Sequence, residues 1–188
     1  MIALPCHGGI VAEKTTMSLF NLGKLLLRNN ISHGLLTQAN SSIITQGRSK
    51  CANFFINNTD HEYLFFLDSD IGFDAESVLK LISHNVDIVS GAYPMKTIPL
   101  RYCINVVQPE QRRGDLIKIE GNGMGFVLIH RNVLVKMAQS FPELKYIPSE
   151  GDSNIPPTQS EIDNSYHFFM EHKKDNSYMS EDKSFFYR

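Results

Sequence analysis

The chain has 188 residues, of which 42% are hydrophobic and 20% are charged. These values are typical of one globular domain with a buried core, so we expect a single domain over residues 1–188, which can also be the N-terminal part of a longer protein. The formal net charge of -2 offers no overall attraction to a phosphate backbone. We therefore expect no nucleic acid partner.

The cysteine pattern and the apolar runs bear on the protein's compartment. Cys6, Cys51 and Cys103 are far apart and odd in number, which predicts neither a disulfide framework nor a cysteine zinc site. The N-terminus carries no basic leader, and the longest apolar runs, such as Tyr63–Leu67, are much shorter than a membrane span. We therefore expect a cytoplasmic protein with no membrane span.

Strands and helices alternate in the first half of the chain. The run Tyr63–Leu67 is continuously apolar, which is typical of a strand covered on both faces in a parallel sheet. Alternation of this kind predicts an α/β sheet. The predicted order is a strand at Ile2–Cys6, a helix capped by Thr15 or Thr16, a strand at 35–36, a helix opened by Ser41 or Ser42, the strand Tyr63–Leu67, a helix with Asp74 as N-cap, and a strand at 86–89.

The second half shows a different pattern. Residues 101–119 lose the helical period, and two runs within them predict strands of a partly antiparallel sheet joined by a polar turn. A strand at 126–129 and a helix at 132–139 are predicted next. Residues 141–165 are rich in Pro, Ser, Asn and Asp, which predicts a long irregular loop.

The motif Asp68-Ser69-Asp70 follows a buried strand directly. Its two carboxylates therefore lie at the carboxyl end of that strand, where open α/β sheets bind ligands. Hard oxygen ligands suit Mg²⁺ or Mn²⁺, which bridges one or two carboxylates to substrate phosphates. The alternative is that the two aspartates only cap the helix that begins near Asp74.

Three further features are chemical candidates with structural alternatives. Ser180-Glu181-Asp182 offers a general base to an acceptor hydroxyl, or an ordinary helix N-terminal cap. The glycine-rich stretch 121–125 suits either close approach of a ligand or a turn between strands. Arg48 on the second helix meets a phosphate, pairs with an acid at the sheet edge, or is solvated.

With these segments placed in order, the chain resembles glycosyltransferases of the GT-A fold, especially the compact family-2-like enzymes of viruses, phages and bacteria. The resemblance implies a Rossmann-like nucleotide-binding sheet, mixed and mostly parallel, flanked by helices. It also implies a host-cytoplasmic location if the protein is viral. Its carriers are six blocks in the family's order: residues 2–8, 42–55, 63–73, 89–96, 121–129 and 178–185.

The activity implied by the resemblance is transfer of a sugar, with inversion, from a nucleotide-diphosphate sugar to an acceptor hydroxyl. A UDP-sugar donor, a glycan or glycoprotein acceptor, and Mn²⁺ or Mg²⁺ are the implied partners. Asp70 resembles the direct metal ligand and Asp68 the ribose-side or water-mediated acid, while Asp182, with Glu181 beside it, resembles the base. The remaining residues implied to contact the nucleotide sugar are Pro5, Cys6, His7, Gly8, Arg48, Ser69, Tyr93, Lys96, Gly123, Met124 and Gly125.

The chain departs from the family's pattern at two points. Many relatives carry an additional metal-binding histidine after the acidic motif, whereas this sequence ends at Arg188. Residues 36–39 on the second strand also lack the usual nucleobase-binding acid. Three rival functions stay open: a magnesium-dependent phosphatase of the haloacid dehalogenase type, a sugar-nucleotide pyrophosphorylase, and a non-catalytic module that binds nucleotide sugars.

Overall fold

A central sheet lies between two layers of helices in the computed structural model, which describes residues 1–148 and 157–188. The elements of the first half are β1 (Ile2–Cys6), α1 (Glu13–Arg28), β2 (Leu35–Ala39), α2 (Ile44–Asn58), β3 (Tyr63–Leu67), α3 (Ala75–Ser83) and β4 (Ile88–Ser90). Those of the second half are β5 (Ile104–Val106), β6 (Arg112–Arg113), β7 (Leu116–Ile117), β8 (Ile119–Asn122), β9 (Phe126–His130), α4 (Arg131–Ser140), α5 (Gln159–Asp163), β10 (His172–Lys174), β11 (Ser177–Met179) and α6 (Glu181–Tyr187).

The sheet has five strands in the order β2-β1-β3-β9-β4. β1 pairs in parallel with both β2 and β3, whereas β9 is antiparallel to β3 and to β4. Four strands therefore run in one direction and β9 runs in the other. The predicted α/β class with a mixed, mostly parallel sheet is confirmed, although one of the two neighbours of β3 is antiparallel.

The side chains of β3 alternate between two hydrophobic cores. Leu64 and Phe66 belong to the core that also contains Phe55 of α2, while Phe65 and Leu67 belong to the core that contains Leu22 of α1. This is the two-residue period of a strand whose two faces are both covered. The apolar run thus forms a strand because it can bury every one of its side chains after the first.

The reversed direction of β9 brings its first residues to the edge where the parallel strands end. The Asp68 amide donates a hydrogen bond to the Gly125 carbonyl at 2.9 Å, just beyond the last β3–β9 pair. The residues that precede β9 consequently lie beside the acidic motif that follows β3. A fully parallel sheet would place them at opposite ends.

The predicted antiparallel character of residues 101–119 is confirmed, but the turn predicted at 109–114 contains the short strand β6. β5 pairs with β8, and β6 pairs with β7, both antiparallel and both outside the main sheet. A further antiparallel hairpin, β10 and β11, precedes α6. These three antiparallel pairs all follow β4 in the chain, and β9 is the strand of the second half that joins the main sheet.

Two predicted helix starts were wrong. α1 begins at Glu13, and the Thr16 hydroxyl within its first turn donates to the Ala12 carbonyl at 3.2 Å. α2 begins at Ile44, and the Ser41 hydroxyl likewise donates to a carbonyl, that of Ile43, at 2.9 Å. The N-cap positions belong to Ala12 and Ile43, and at neither helix does a side chain accept a hydrogen bond from the free amides of the first turn as a cap must.

The predicted irregular loop is only partly irregular. A 3₁₀ turn spans Pro142–Leu144, and α5 spans Gln159–Asp163. α5 begins with a capping box, in which Thr158 accepts from the Glu161 amide and the Glu161 carboxylate accepts from the Thr158 amide. The sequence contains this signal as Thr-x-x-Glu. Residues 149–156 of the predicted loop lie outside the described residues.

No helix within residues 1–148 and 157–188 combines the length and the apolar character needed to cross a bilayer.

Candidate functional site

The acidic motif lies at the carboxyl edge of the sheet, as its position after β3 predicts. Even-numbered residues of β3 face the core beside α2, and Asp68 continues that alternation, which directs its side chain toward Arg48 of α2. Neither Asp68 nor Asp70 is the cap of α3, because the N-cap position belongs to Asp74, whose side chain makes no capping bond. The capping alternative is therefore excluded for this motif.

Arg48 connects the acidic motif to α6. Its guanidinium donates to Asp68 Oδ1 at 3.0 Å through one terminal nitrogen, and to Asp182 Oδ1 at 2.8 Å and Glu181 Oε1 at 3.2 Å through the other. Arg48 is only 4% exposed. Of the three alternatives for Arg48, the structure shows pairing with an acid at the sheet edge, and three acids rather than one share its charge.

α6 is positioned by apolar and polar contacts that do not involve Arg48. Phe185 is buried and stacks on Phe169 with ring centroids 4.8 Å apart. The buried Ser184 hydroxyl accepts from the His172 amide at 2.9 Å and donates to the Met179 carbonyl at 3.1 Å, which ties α6 to the hairpin before it. These anchors set the first turn of α6, with Glu181 and Asp182, against the sheet edge.

The acidity of Asp182 is perturbed by its surroundings. Burial raises the pKa of its carboxyl to about 6, against the opposing effect of Arg48, and the nearby carboxylates of Glu181 and Asp68 raise it further. One guanidinium cannot neutralise three carboxylates, so the cluster keeps an excess of negative charge. Ser180 occupies the N-cap position of α6, but its side chain makes no capping hydrogen bond.

Asp70 lies outside this cluster and pairs with Lys96. Both side chains are exposed, Asp70 by 52% and Lys96 by 84%. The hydrogen bond from Lys96 to Asp70 raises the pKa of the lysine ammonium. An exposed ion pair contributes little to stability and exchanges readily with solvent ions. Asp70 is therefore accessible to a ligand from solution.

The glycine-rich stretch before β9 is buried, including the side chain of Met124. A Cβ atom at Gly125 would lie 2.5 Å from Asp68 Oδ2, and one at Gly123 would overlap the Tyr93 hydroxyl. The Tyr93 hydroxyl also accepts a hydrogen bond from the Gly125 amide at 3.1 Å, and burial raises the pKa of this phenol. The glycines thus allow Asp68 and Tyr93 to approach the backbone closely.

A small pocket lies at the carboxyl ends of β1 and β2. Its volume is about 300 Å³. It contains three of the four residues predicted around β1, while Gly8 lies in the adjoining exposed turn with a φ of +66°. The residues that line it are Pro5, Cys6, His7, Gln38, Ser41, Ser42, Ile44 and Gly47. The lining residues from Gln38 to Gly47 lie at the end of β2 or after it. The sequence could have identified them, because residues that follow a parallel strand lie at the edge of the sheet where ligands bind.

The predicted residues thus share one edge of the sheet but fall into separate groups. Arg48 gathers Asp68, Glu181 and Asp182, while Asp70 and Lys96 form an outer pair. Ser69 contributes its carbonyl, which accepts from the Ala12 amide at 2.8 Å and fixes the turn against α1. A larger cavity of about 780 Å³ lies near the opposite ends of β1 and β3, and its lining contains none of the predicted site residues.

The carboxylate oxygens of the acidic motif are ligands that suit Mg²⁺ or Mn²⁺ bound through two carboxylates. Asp70 is exposed, and Asp68 uses Oδ1 for Arg48, which leaves Oδ2 as its second oxygen. Within the described residues, no group of three or more His, Cys, Asp or Glu side chains is arranged to hold a metal. Such ions keep several waters and are completed by substrate phosphates, so two carboxylates suffice for binding together with a diphosphate.

Comparisons with known proteins give little similarity. No family model matches the chain, and no curated protein matches it. A crystal structure of A197 from STIV is similar at 23% identity and a TM-score of 0.49, and the match covers 72% of this chain and 66% of A197. The chain thus spans just under two thirds of the length of that structure. A similarity of this size identifies neither a family nor an activity.

Proposed function

We propose that this chain is a metal-dependent glycosyltransferase that moves a sugar from a nucleotide-diphosphate donor to an acceptor hydroxyl with inversion. One observation carries the proposal: Asp68 and Asp182, which are remote in sequence, bind the same buried guanidinium of Arg48 at the carboxyl edge of the sheet. The edge therefore combines an acid of the metal motif with an acid of raised pKa. Pairs of carboxyl groups in different environments suit different chemical roles.

The donor side of the proposal uses the outer acid and the pocket beside it. The pocket of about 300 Å³ between β1 and β2 takes the nucleoside, and its polar groups include the Gln38 amide and the Ser41 and Ser42 hydroxyls. Asp70 and the second oxygen of Asp68 would hold the divalent ion, which would supply positive charge beside the diphosphate.

The acceptor side of the proposal uses Asp182. A carboxyl with a pKa of about 6 is mostly ionised at neutral pH and still retains appreciable basicity. Asp182 accepts the proton of the attacking hydroxyl as that oxygen bonds to the anomeric carbon and the bond to the diphosphate oxygen breaks. Arg48 keeps the Asp182 carboxylate in place through a charge-assisted hydrogen bond of 2.8 Å.

The phosphatase reading has less support. Phosphatases of the haloacid dehalogenase type usually have Thr or Val two places after the second Asp of the motif, whereas this chain has Gly72. The Arg48 guanidinium also donates to one oxygen of Asp68 at 3.0 Å.

The test is a donor panel. The protein is incubated with Mn²⁺ or Mg²⁺ and a set of UDP-, GDP- and TDP-sugars, and free nucleoside diphosphate is measured with and without EDTA. We expect slow, metal-dependent release from one nucleotide class, accelerated by an acceptor. Release of phosphate from a simple phosphate ester would favour the phosphatase, and binding of a donor without any turnover would favour the non-catalytic module.

A variant of Asp70 tests the metal assignment. Asp70→Asn removes the exposed carboxylate, so we expect metal-dependent donor binding, measured by calorimetry, to be lost. Asp175→Asn is the matched control, because Asp175 is exposed in a turn with a φ of +48° that asparagine also adopts readily. If Asp70→Asn binds donor and metal as the unmodified protein does, Asp70 is not a ligand.

A further inference from the structure

Arg48 lies at the centre of the acidic cluster formed by Asp68, Glu181 and Asp182. It is 4% exposed, and its two terminal nitrogens are engaged by Asp68, Glu181 and Asp182 at 2.8 to 3.2 Å. Its Nε is buried and has no hydrogen-bond partner among the described residues. The sequence offered nucleotide binding as one role for this residue. Its burial and its partners indicate a different one.

We propose that Arg48 is a positioning residue, which sets the location of Asp182 relative to Asp68 and so aligns the base with the donor side of the site. This inference rests on the proposed function, because the two acids are assigned to the base and to the metal motif there. Arg48 contacts neither donor nor acceptor in this scheme. It acts through the carboxylates that it holds.

The planar guanidinium of Arg48, with two terminal nitrogens that point in different directions, suits the positioning of two carboxylates. One terminal nitrogen faces the end of β3 and the other faces the first turn of α6, so a single rigid plane fixes both directions at once. A lysine ammonium is a compact point charge on a flexible stem and cannot reproduce two fixed directions. Arg48→Lys therefore keeps the positive charge and removes the alignment.

The alternative is that Arg48 only attaches α6 to the body of the protein. α6 has its own attachments, namely Phe185 stacked on Phe169 and the buried Ser184 hydroxyl bonded on both sides. These contacts lie one turn beyond Asp182. Loss of Arg48 therefore leaves α6 docked and displaces chiefly the carboxylates of its first turn.

The kinetic test separates positioning from donor binding. We expect Arg48→Lys to lower kcat by about 100-fold, because a displacement of about 1 Å costs that much, while the donor KM stays unchanged. Lys50→Met is the matched control, since Lys50 is an exposed cation on the same helix, and we expect it to keep full activity. A raised donor KM with unchanged kcat would show that Arg48 binds the nucleotide instead, and unchanged values of both would show that it has no role.

A second measurement does not depend on activity. In a double-mutant cycle of Arg48→Met and Asp182→Asn, followed by urea unfolding, we expect the two substitutions to be coupled by about 2- to 150-fold in the unfolding equilibrium constant. Arg48→Lys takes the place of Arg48→Met if the latter does not fold. Lys50→Met paired with Asp182→Asn is the additive control.

The two measurements distinguish the possible failures. Absence of turnover with every donor in the unmodified protein would refute the proposed function, and the cycle would still report whether Arg48 holds Asp182. Additivity in the cycle would refute the positioning role even in an active enzyme. Coupling in the cycle together with a selective loss of kcat is the result that the inference requires.

Discussion

The two acids of the Asp-x-Asp motif are two residues apart and lie in contrasting surroundings. Asp68 is 32% exposed and is held by a buried arginine that also binds two acids of α6. Asp70 is 52% exposed and pairs with a lysine that is itself 84% exposed. The inner acid thus belongs to the framework of the protein, whereas the outer acid belongs to its surface.

This contrast shows how one short motif can serve two purposes. A buried ion pair fixes geometry, because each partner would be left uncompensated if the other moved. An exposed pair exchanges its partner at small cost, so Asp70 can leave Lys96 for an incoming cation. We expect substitutions around the inner acid to damage alignment or folding, and substitutions around the outer acid to change the binding of metal and donor without lowering stability.

The largest effect expected from the inner group is on turnover. Asp182→Asn removes the base while keeping the shape of the side chain, so kcat should fall by about 10²- to 10⁴-fold. Donor binding, measured by calorimetry with Mn²⁺, should be unchanged because Asp182 does not contact the donor's diphosphate in our scheme. Retention of nearly full turnover would refute the assignment of Asp182 as the base. The group around Asp68 would then have no demonstrated catalytic role to set it apart from the group around Asp70.

The next largest effect is on the free energy of unfolding, which should distinguish the inner cation, Arg48, from the outer cation, Lys96. Arg48→Met leaves three carboxylates without their shared partner, and breaking a buried ion pair on one side costs about 3–5 kcal/mol in the free energy of unfolding. Lys96→Met removes an exposed cation and should leave urea unfolding unchanged. Equal effects of the two substitutions would contradict the distinction between inner and outer groups.

A smaller loss is expected when the backbone near the inner acid is crowded. Gly125→Ala places a Cβ 2.5 Å from Asp68 Oδ2 and 2.8 Å from Ile71 Cδ1. We expect it to lower the free energy of unfolding by about 1–3 kcal/mol, the usual range for overpacking. Gly23→Ala in α1 is the control, because the nearest atom to its added Cβ is 3.8 Å away and alanine favours a helix by about 1 kcal/mol.

The smallest effect concerns pH. Asp182 must be ionised to act as a base, so kcat/KM should rise with pH and level off above an apparent pKa of about 6. Glu181→Gln removes a negative neighbour that raises the pKa of Asp182, so the rising limb should shift to lower pH. A rate profile that is identical in the two proteins would show that Glu181 has no electrostatic influence on the titrating group.

The extent to which sequence predicts this fold depends on the range of the interactions. The bounds of β1 and β3 follow from continuous apolar runs that end at polar residues, and the structure has the same bounds. The starts of α1 and α2 do not follow from nearby hydroxyls, because a hydroxyl can donate to a carbonyl as well as accept from an amide. The composition of residues 141–165 predicted a loop where α5 forms. The capping box of α5, Thr158 with Glu161, is nevertheless present in the sequence as an indication of a helix start.

The candidate site divides in the same way. Asp68 and Asp70 are predictable at the sheet edge because they follow a buried strand directly. The shared contacts of Arg48 are not, since Glu181 and Asp182 lie 133 and 134 residues further along the chain and meet it only through the packing of α6. Likewise, nothing local to residues 123–125 shows that β9 runs against its neighbours and so brings these residues to Asp68.

The two-residue alternation of β3 restricts which changes in chain length the protein can accept. Deleting or inserting one residue between Leu64 and Leu67 would exchange the side chains destined for the two cores. It would also turn Asp68 away from α2 and toward α1. Point substitutions in β3 alter one packing contact, but a single-codon deletion would separate the acidic motif from Arg48, so related sequences should vary in residue type within this strand and hardly at all in its length.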